Sequence, residues 1–143
     1  MNNKYNETIK MLTPLQYKVT QEKGTELPFD NEYNNEYRDG IYVDIVSKEI
    51  LFSSKDKFNS GSGWPSFTNP VKKTSIDEVK DHAHGMIRIE VKSKNANTHL
   101  GHVFNDGPNG NMRYCINSAS IFFILKEEMK DKGYEDYLNL FDK

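Results

Sequence analysis

The stretch GIYVDIVSKEILF, residues 40–52, decides the fold class of this chain. Residues 40–46 are mostly β-branched or aromatic, which favours an extended strand, and residues 50–52 follow in the same manner after a polar turn. Working outward, the same criteria predict further strands over residues 86–91, 102–104, 112–117 and 121–125. The sequence therefore predicts a mainly β domain with antiparallel strands.

Two of these strands carry predictions about burial. Residues 86–91 alternate apolar and polar side chains, so one face of that strand should be buried. Residues 121–125, IFFIL, form a continuous apolar run, which predicts a central strand buried on both faces. Both strands should therefore contribute to the core.

Short helices are predicted at both ends of the domain. Thr13 is a favourable N-cap and Pro14 suits the first helical position, so a helix should run to about Thr20. Residues 126–132 are predicted to form a short charged helix, and Gly133 suits the position just after its end. The helices should flank the strands and leave the core to the β structure.

Composition and charge narrow the function classes. The 143 residues fit one domain, residues 1–143, in which residues 1–11 are expected to be a loosely held N-terminal extension. The formal net charge of −2 favours neither nucleic acid nor an anionic membrane as a partner. No apolar run resembles a signal peptide or a membrane span, so we expect a cytoplasmic protein. We also expect a monomer.

The chain has one cysteine, Cys115, so an intrachain disulfide or a cysteine-rich zinc site is impossible. A lone cysteine is most often a small buried apolar residue. If its segment is a strand, however, Arg113, Cys115 and Asn117 share one face, whereas Tyr114 and Ile116 point into the core. A neighbouring guanidinium favours the thiolate, so we expect a lowered pKa and a nucleophilic Cys115.

The segment HLGH contains two histidines, His99 and His102, and Asp106 follows four residues later. Packed histidines, a metal site, and acid–base chemistry near neutral pH are all compatible with this pattern. Asp106 could orient a histidine or only shape the following turn. The residues alone leave these alternatives open.

Trp64 is the only tryptophan and lies in a loop bounded by glycine and proline, SGSGWP. A core position is the ordinary role of so large a ring. This loop favours a ring at the mouth of a pocket, where aromatic faces attract thioethers and methyl groups.

Taken together, the segments SGSGWPSF, HLGHVFNDGP and RYCINSAS resemble those of the B-type methionine-R-sulfoxide reductases. The similarity extends from Leu12 to Phe141 and implies two antiparallel sheets with short helices at both ends. It also implies reduction of the R epimer of methionine sulfoxide, free or in peptides, to methionine. The polar active-site residues implied by matching motif positions are Cys115 as nucleophile with His99, His102, Asp106, Arg113 and Asn117. Trp64 matches the ring that receives the methyl group of the sulfoxide.

The chain departs from the pattern of many relatives at positions that hold zinc or resolve the oxidised cysteine. The four zinc-binding cysteines of those relatives are replaced here by Asp44, Ser47, Ser93 and Ala96. The resemblance thus implies the zinc-free branch, with no metal and no cofactor. Ser62 occupies the position of the resolving cysteine, which implies that thioredoxin, glutaredoxin or a small thiol reduces the sulfenic acid of Cys115.

Two further departures bear on the shape of the pocket. Asn34 replaces a tryptophan that often follows NEY, and the loop between Asp106 and Arg113 is about one residue shorter than usual.

The alternatives to the reductase are an inactive ligand-binding module on the same scaffold and a thiol peroxidase. A low pKa of Cys115 would favour catalysis, and an inert buried thiol would favour the binding module.

Overall fold

The computed structural model describes residues 5–82 and 85–141. Nine strands in these residues form two antiparallel sheets, one of three strands in the order β2-β1-β9 and one of six in the order β3-β4-β8-β7-β6-β5. The strands are β1 (Gly40–Asp44), β2 (Ile50–Ser53), β3 (Lys57–Phe58), β4 (Ser66–Phe67), β5 (Ile76–Asp81), β6 (Arg88–Ser93), β7 (His99–Phe104), β8 (Arg113–Ile116) and β9 (Ile121–Leu125). The predicted mainly β fold of two antiparallel sheets with short helices is confirmed.

Helix α1 (Asn6–Lys10) and helix α2 (Pro14–Glu22) precede the strands. The hydroxyl of Thr13 accepts a hydrogen bond from the Gln16 backbone N–H, and the Gln16 side chain accepts one from the Thr13 backbone. This capping box confirms the predicted start of α2, which ends two residues beyond the prediction. Helix α1 lies in the predicted N-terminal extension and buries none of its residues.

The C-terminal helix is shorter than predicted. Only Lys126–Glu128 is helical, as a 3₁₀ turn, and a second 3₁₀ segment covers Glu135–Phe141. Met129 is fully buried with strands β1 and β9, and its carbonyl accepts a hydrogen bond from Tyr134, so the chain turns there. Gly133 has the left-handed conformation expected of it, with φ of +93°.

The prediction that residues 121–125 form a central strand is wrong. Within the described residues strand β9 pairs with β1 alone and is an edge of the three-stranded sheet, where Phe122 is 41% exposed. Strand β1 is the central one, and all five of its residues are buried. An apolar run gives no information on how many strands will pair with it, so the two positions look alike in sequence.

Strand β6 also differs from the prediction, since it begins at Arg88 and ends at Ser93. Met86 and Ile87, which the alternation placed in the strand, lie before it and are 48% and 72% exposed. They belong to the connection between β5 and β6, whose first pair is Asp81 with Arg88. Strands β3, β4 and β5 were not predicted, because the first two have two residues each and β5 is a charged edge strand.

The main core lies between the sheets and is aromatic. The rings of Phe52 and Phe67 stack with centroids 4.5 Å apart, and Tyr42 meets Phe67 edge to face at 5.1 Å. Tyr114 and Ile116 of β8 belong to the same cluster, as their alternation predicted. The opposite face of β8 therefore carries Cys115 away from the core. No helix within the described residues is long and apolar enough to span a membrane.

Candidate active site around Cys115

A cavity of about 330 Å³, here called the front cavity, opens beside Cys115. It brings together most of the residues that the sequence singled out. Its lining is Thr25, Ser62, Trp64, Arg88, Gly101, His102, Phe104, Arg113, Cys115, Ile116 and Asn117. Two predicted residues, His99 and Asp106, do not line it.

The close pairing of β7 and β8 places His102 beside Cys115. The two residues are register partners, as are Gly101 and Ile116. A Cβ on Gly101 would overlap the carbonyl oxygen of Cys115, so only glycine allows the two strands to approach this closely. The glycine of the HLGH segment thereby determines where the second histidine lies.

The Cys115 thiol is not activated in the way the sequence predicted. Burial raises the pKa of Cys115, and this effect exceeds the hydrogen bond with Ser62 and the positive charge of Arg113, which both lower it. The expectation of a lowered pKa is therefore wrong, although the guanidinium acts in the expected direction. The Ser62 hydroxyl oxygen lies 3.8 Å from the Cys115 sulfur, so the loop that carries it does approach the thiol.

Asp106 orients Arg113, and within the described residues it makes no hydrogen bond to a histidine. The Nε of Arg113 donates to one carboxylate oxygen at 2.8 Å, and a terminal nitrogen donates to the other at 3.3 Å. The guanidinium also lies 4.3 Å above the centre of the Phe104 ring. This pairing lowers the pKa of Asp106 and raises that of Arg113. Asp106 thus reaches the front cavity only through Arg113.

Trp64 and Asn117 are both held by Glu26, a residue that the sequence did not single out. The indole N–H donates to the Glu26 carbonyl at 3.1 Å, and the Glu26 N–H donates to the Asn117 amide oxygen at 3.1 Å. The buried Glu26 carboxylate accepts from the backbone N–H groups of Ser118 and Ala119. Burial raises the pKa of Glu26. The only sequence signal is a carboxylate in the otherwise apolar end of GTELPF.

The loop that presents Trp64 needs glycine at position 63. Gly63 has φ of +94°, and a Cβ there would come within 2.7 Å of the Pro28 side chain. The backbone N–H of Phe29 also donates to the Gly63 carbonyl at 2.8 Å. The indole ring lines the front cavity, which is the placement that the loop composition favoured over a core position.

The two histidines face different cavities. His102 lines the front cavity, and its Nε2 lies 2.8 Å from an Asp81 carboxylate oxygen. His99 is buried, its Nδ1 lies 2.7 Å from Glu90, and it lines a rear cavity of about 570 Å³ between the N-terminal helices and the turn of β6 and β7. Burial lowers the pKa of His99, against the opposing effect of Glu90. The ring centroids are 5.7 Å apart.

Two cations accompany the carboxylates behind the histidines. Lys23 lies 3.5 Å from Asp81 and 3.3 Å from Glu90, and Arg88 lies 3.9 Å from Asp81. The Arg88 Nε is buried and has no hydrogen-bond partner in residues 5–82 and 85–141. The alternation of β6 placed Arg88 and Glu90 on its polar face, which is the signal that could have revealed them.

The residues at the zinc-binding positions of many relatives do not fit a zinc site. The Asp44 carboxylate is buried and accepts hydrogen bonds from the Val46 N–H and from the hydroxyls of Ser47 and Thr98. The Ser93 hydroxyl accepts from the Thr98 N–H, and Ala96 has no ligand atom in its side chain. We call Asp44, Ser47, Ser93 and Thr98 the turn cluster. Its oxygen atoms take part in hydrogen bonds with neighbouring groups. None of its side chains is a thiolate or an imidazole, the ligands that structural zinc sites use.

The metal-site alternative for the two histidines finds no support from their contacts. Each ring is bonded to its own carboxylate. Among the described residues, no group of three or more His, Cys, Asp or Glu side chains is arranged to hold a metal ion.

The fold and the front cavity together describe a mainly β protein of the thiol-enzyme type, in which one thiol and one aromatic ring line the same cavity. A family model, the SelR domain, matches residues 12–125. The chain therefore belongs to the SelR domain family, which is the methionine-R-sulfoxide reductase domain. Membership supports an oxidoreductase that acts on methionine sulfoxide.

Proposed function

We propose that this chain reduces the R epimer of methionine sulfoxide, free or in peptides and proteins, with Cys115 as nucleophile. The observation that carries the proposal is that the Cys115 thiol and the Trp64 ring line one cavity. The ring is suited to receive the methyl group and the sulfur of the substrate. The R preference rests on membership of the family. It is not drawn from any contact in the cavity.

In the proposed reaction the Cys115 sulfur attacks the sulfoxide sulfur, and the oxygen ends on Cys115. The thiol and the sulfoxide become a sulfenic acid and methionine, so no proton is gained or lost overall. Because burial raises the pKa of Cys115, the thiol must lose its proton as the substrate binds. Of the two histidines, His102 is the proton carrier we propose, since it lines the front cavity.

Arg113 and Asn117 are proposed to orient the sulfoxide and stabilise the transition state. Both line the front cavity, and each is fixed by hydrogen bonds, Arg113 to Asp106 and Asn117 to the Leu100 carbonyl. Groups that are held in place before the reaction stabilise developing charge without reorganising. His99 is proposed to support this arrangement from behind.

Regeneration is proposed to use thioredoxin, glutaredoxin or a small thiol. One thiol would form a mixed disulfide with Cys115 and release water, and a second would restore Cys115. Ser62, 3.8 Å from the Cys115 sulfur, holds the place from which a resolving thiol could attack. Ser62→Cys should therefore form a disulfide with Cys115 after one turnover, which mass spectrometry of an unreduced digest would detect. Failure to trap it would contradict the proposed approach.

The proposal is tested by chromatography of racemic N-acetyl-methionine sulfoxide incubated with the protein and dithiothreitol. We expect half of the substrate to disappear, all of it the R epimer, and no reaction with Cys115→Ala. Without thiol, one equivalent of methionine product should form, and dimedone should label Cys115 as sulfenic acid. An unlabelled Cys115 after product formation would refute the scheme.

One observation favours a second candidate, a ligand-binding module on the same scaffold. The raised pKa of Cys115 is what a non-catalytic buried thiol would show. In that case neither epimer would be consumed, although methionine sulfoxide would still change the fluorescence of Trp64.

Several sequence-based expectations stay predictions. They are the monomeric state, a single domain, the cytoplasmic location, the zinc-free assignment and the absence of nucleic-acid and membrane partners.

A further inference from the structure

Two buried carboxylate–histidine pairs lie side by side behind the front cavity, and they are closely matched. Asp81 and Glu90 are 5% and 4% exposed, and each accepts a hydrogen bond from one histidine ring nitrogen. Lys23, at the end of α2, contacts both carboxylates at nearly equal distances of 3.5 and 3.3 Å. The two carboxylates are thus matched in burial and in their contact with Lys23, whereas Arg88 contacts Asp81 at 3.9 Å.

The pairs differ in what their histidines can reach. His102 lines the front cavity with Cys115, whereas His99 lines the rear cavity with Lys23 and Glu90. The nitrogens also differ, because Asp81 binds Nε2 of His102 and Glu90 binds Nδ1 of His99. Only the pair of Asp81 and His102 can therefore act directly on a ligand beside the thiol.

We infer that Asp81 is a positioning residue that keeps the His102 proton on Nε2 and leaves Nδ1 to exchange a proton in the front cavity. A carboxylate accepts a hydrogen bond and cannot donate one, so the Nε2 that faces Asp81 must carry a proton. In the resting ring Nδ1 is then the basic nitrogen, able to take the Cys115 proton. The inference rests on the proposed function, because it concerns the proton step of that reaction.

The proton balance of the step is closed. Cys115 gives its thiol proton to Nδ1 of His102 as its sulfur bonds to the sulfoxide sulfur. The resulting imidazolium is stabilised by the Asp81 carboxylate and then returns the proton to the oxygen that ends on Cys115. The products are a sulfenic acid, methionine and a neutral His102, and no co-reactant is required.

The charges around Asp81 suit this role. Lys23 at 3.5 Å and Arg88 at 3.9 Å flank the carboxylate, and Glu90 and His99 lie on the other side of Lys23. When His102 takes up a proton, a third positive charge forms next to Asp81, in addition to those of Lys23 and Arg88. A neutral amide at position 81 would leave that charge unbalanced and could also donate to Nε2, which would reverse the tautomer.

The test compares Asp81→Asn with the matched variant Glu90→Gln. Both replace a buried carboxylate with an amide, both keep a hydrogen-bonding group beside a histidine, and both weaken the contact with Lys23. A purely structural role predicts similar losses in the two variants, measured by thermal unfolding and by activity. The inference predicts that only Asp81→Asn changes the chemical step.

The readout is the rate of methionine formation in a single turnover without thiol, measured from pH 5 to pH 9. We expect Asp81→Asn to lower this rate by about a hundredfold, the lower end of what general acid–base catalysis contributes. Glu90→Gln should change it by less than about threefold, and Asp81→Glu should recover at least about tenfold over Asp81→Asn. Equal losses in Asp81→Asn and Glu90→Gln, or a pH profile unaltered by Asp81→Asn, would overturn the inference.

A second readout does not depend on activity. Long-range ¹H–¹⁵N NMR of the imidazoles should show His102 protonated on Nε2 in the unmodified protein and a changed tautomer in Asp81→Asn alone. The same His102 signals in Asp81→Asn would refute the inference, even for a variant of low stability. If the unmodified protein forms no methionine at all, the proposed function fails and the NMR result still decides the tautomer.

Discussion

The front cavity and the turn cluster are two polar regions that use their polar groups in opposite ways. In the turn cluster both oxygens of the Asp44 carboxylate accept hydrogen bonds, and Thr98 contacts both of them. In the front cavity the buried Nε of Arg88 has no partner within the described residues. Polar groups that satisfy one another stabilise a fold, whereas polar groups with unused capacity are available to a ligand.

The largest effect is expected when the thiol is removed from the front cavity. Cys115→Ala should lower R-sulfoxide reduction by at least about a thousandfold, because no other group in the chain can form the sulfenic acid. The melting temperature should change little, since the substitution leaves the apolar face of β8 intact. Chromatography of the epimers and a thermal melt measure both quantities. Residual activity above a tenth would contradict the role of Cys115.

The next effect concerns the turn cluster and should be one of stability alone. Asp44→Ala leaves two buried donors, on Val46 and Thr98, and the half-buried hydroxyl of Ser47 without their acceptor, which should cost about 3 kcal/mol in the free energy of unfolding. For a chain of this size that lowers the melting temperature by about 10 °C. Ser47→Ala, which removes one of these donors, should cost only about 1 kcal/mol. A large loss of activity in a still-folded Asp44→Ala would break the comparison.

A smaller effect is expected on the rate at which Cys115 is alkylated at different pH values. Because burial raises its pKa, alkylation of the free protein by iodoacetamide should be slow at pH 7 and rise about tenfold per pH unit until the pKa is passed. Arg113→Gln should slow the reaction further at each pH, because the guanidinium lowers this pKa. Rapid alkylation below pH 7 would show that Arg113 outweighs burial.

The raised pKa of Cys115 also makes the stability of the fold depend on pH. A group whose folded-state pKa is raised stabilises the fold below its ordinary pKa and loses that contribution as the pH rises through the folded-state pKa. The fold should therefore lose stability above about pH 9 more steeply than Cys115→Ala does, as measured by urea unfolding. Parallel curves for the two proteins would contradict the raised pKa.

The smallest effect is expected at the exposed rim of the front cavity. Asp106→Asn should weaken the two-point hold on Arg113 and lower the rate of methionine formation by about threefold to tenfold. Its melting temperature should be unchanged, since the Asp106 side chain is 62% exposed. Asp131→Asn, at an exposed aspartate outside the cavity, is the matched control. No change in rate would mean that Arg113 keeps its orientation without Asp106.

By itself the sequence determined the fold class, the start of α2 and the face of β8 that carries Cys115. These features follow from short-range rules, namely strand composition, capping by Thr13, and the alternation of Tyr114 and Ile116 against Cys115. The three motif segments also sufficed to predict the family, which the SelR match over residues 12–125 confirms.

Tertiary structure alone decided which strand became central, which histidine faces the front cavity, and the direction of the Cys115 pKa. Each depends on contacts between distant parts of the chain, such as the pairing of β1 with β9 and of β7 with β8. Asp81 and Glu90 likewise read as ordinary charges on strands until the fold brings the histidines of β7 against them. Alternation fixes the face on which a side chain lies, but burial and partners are properties of the packed molecule, and they set the chemistry here.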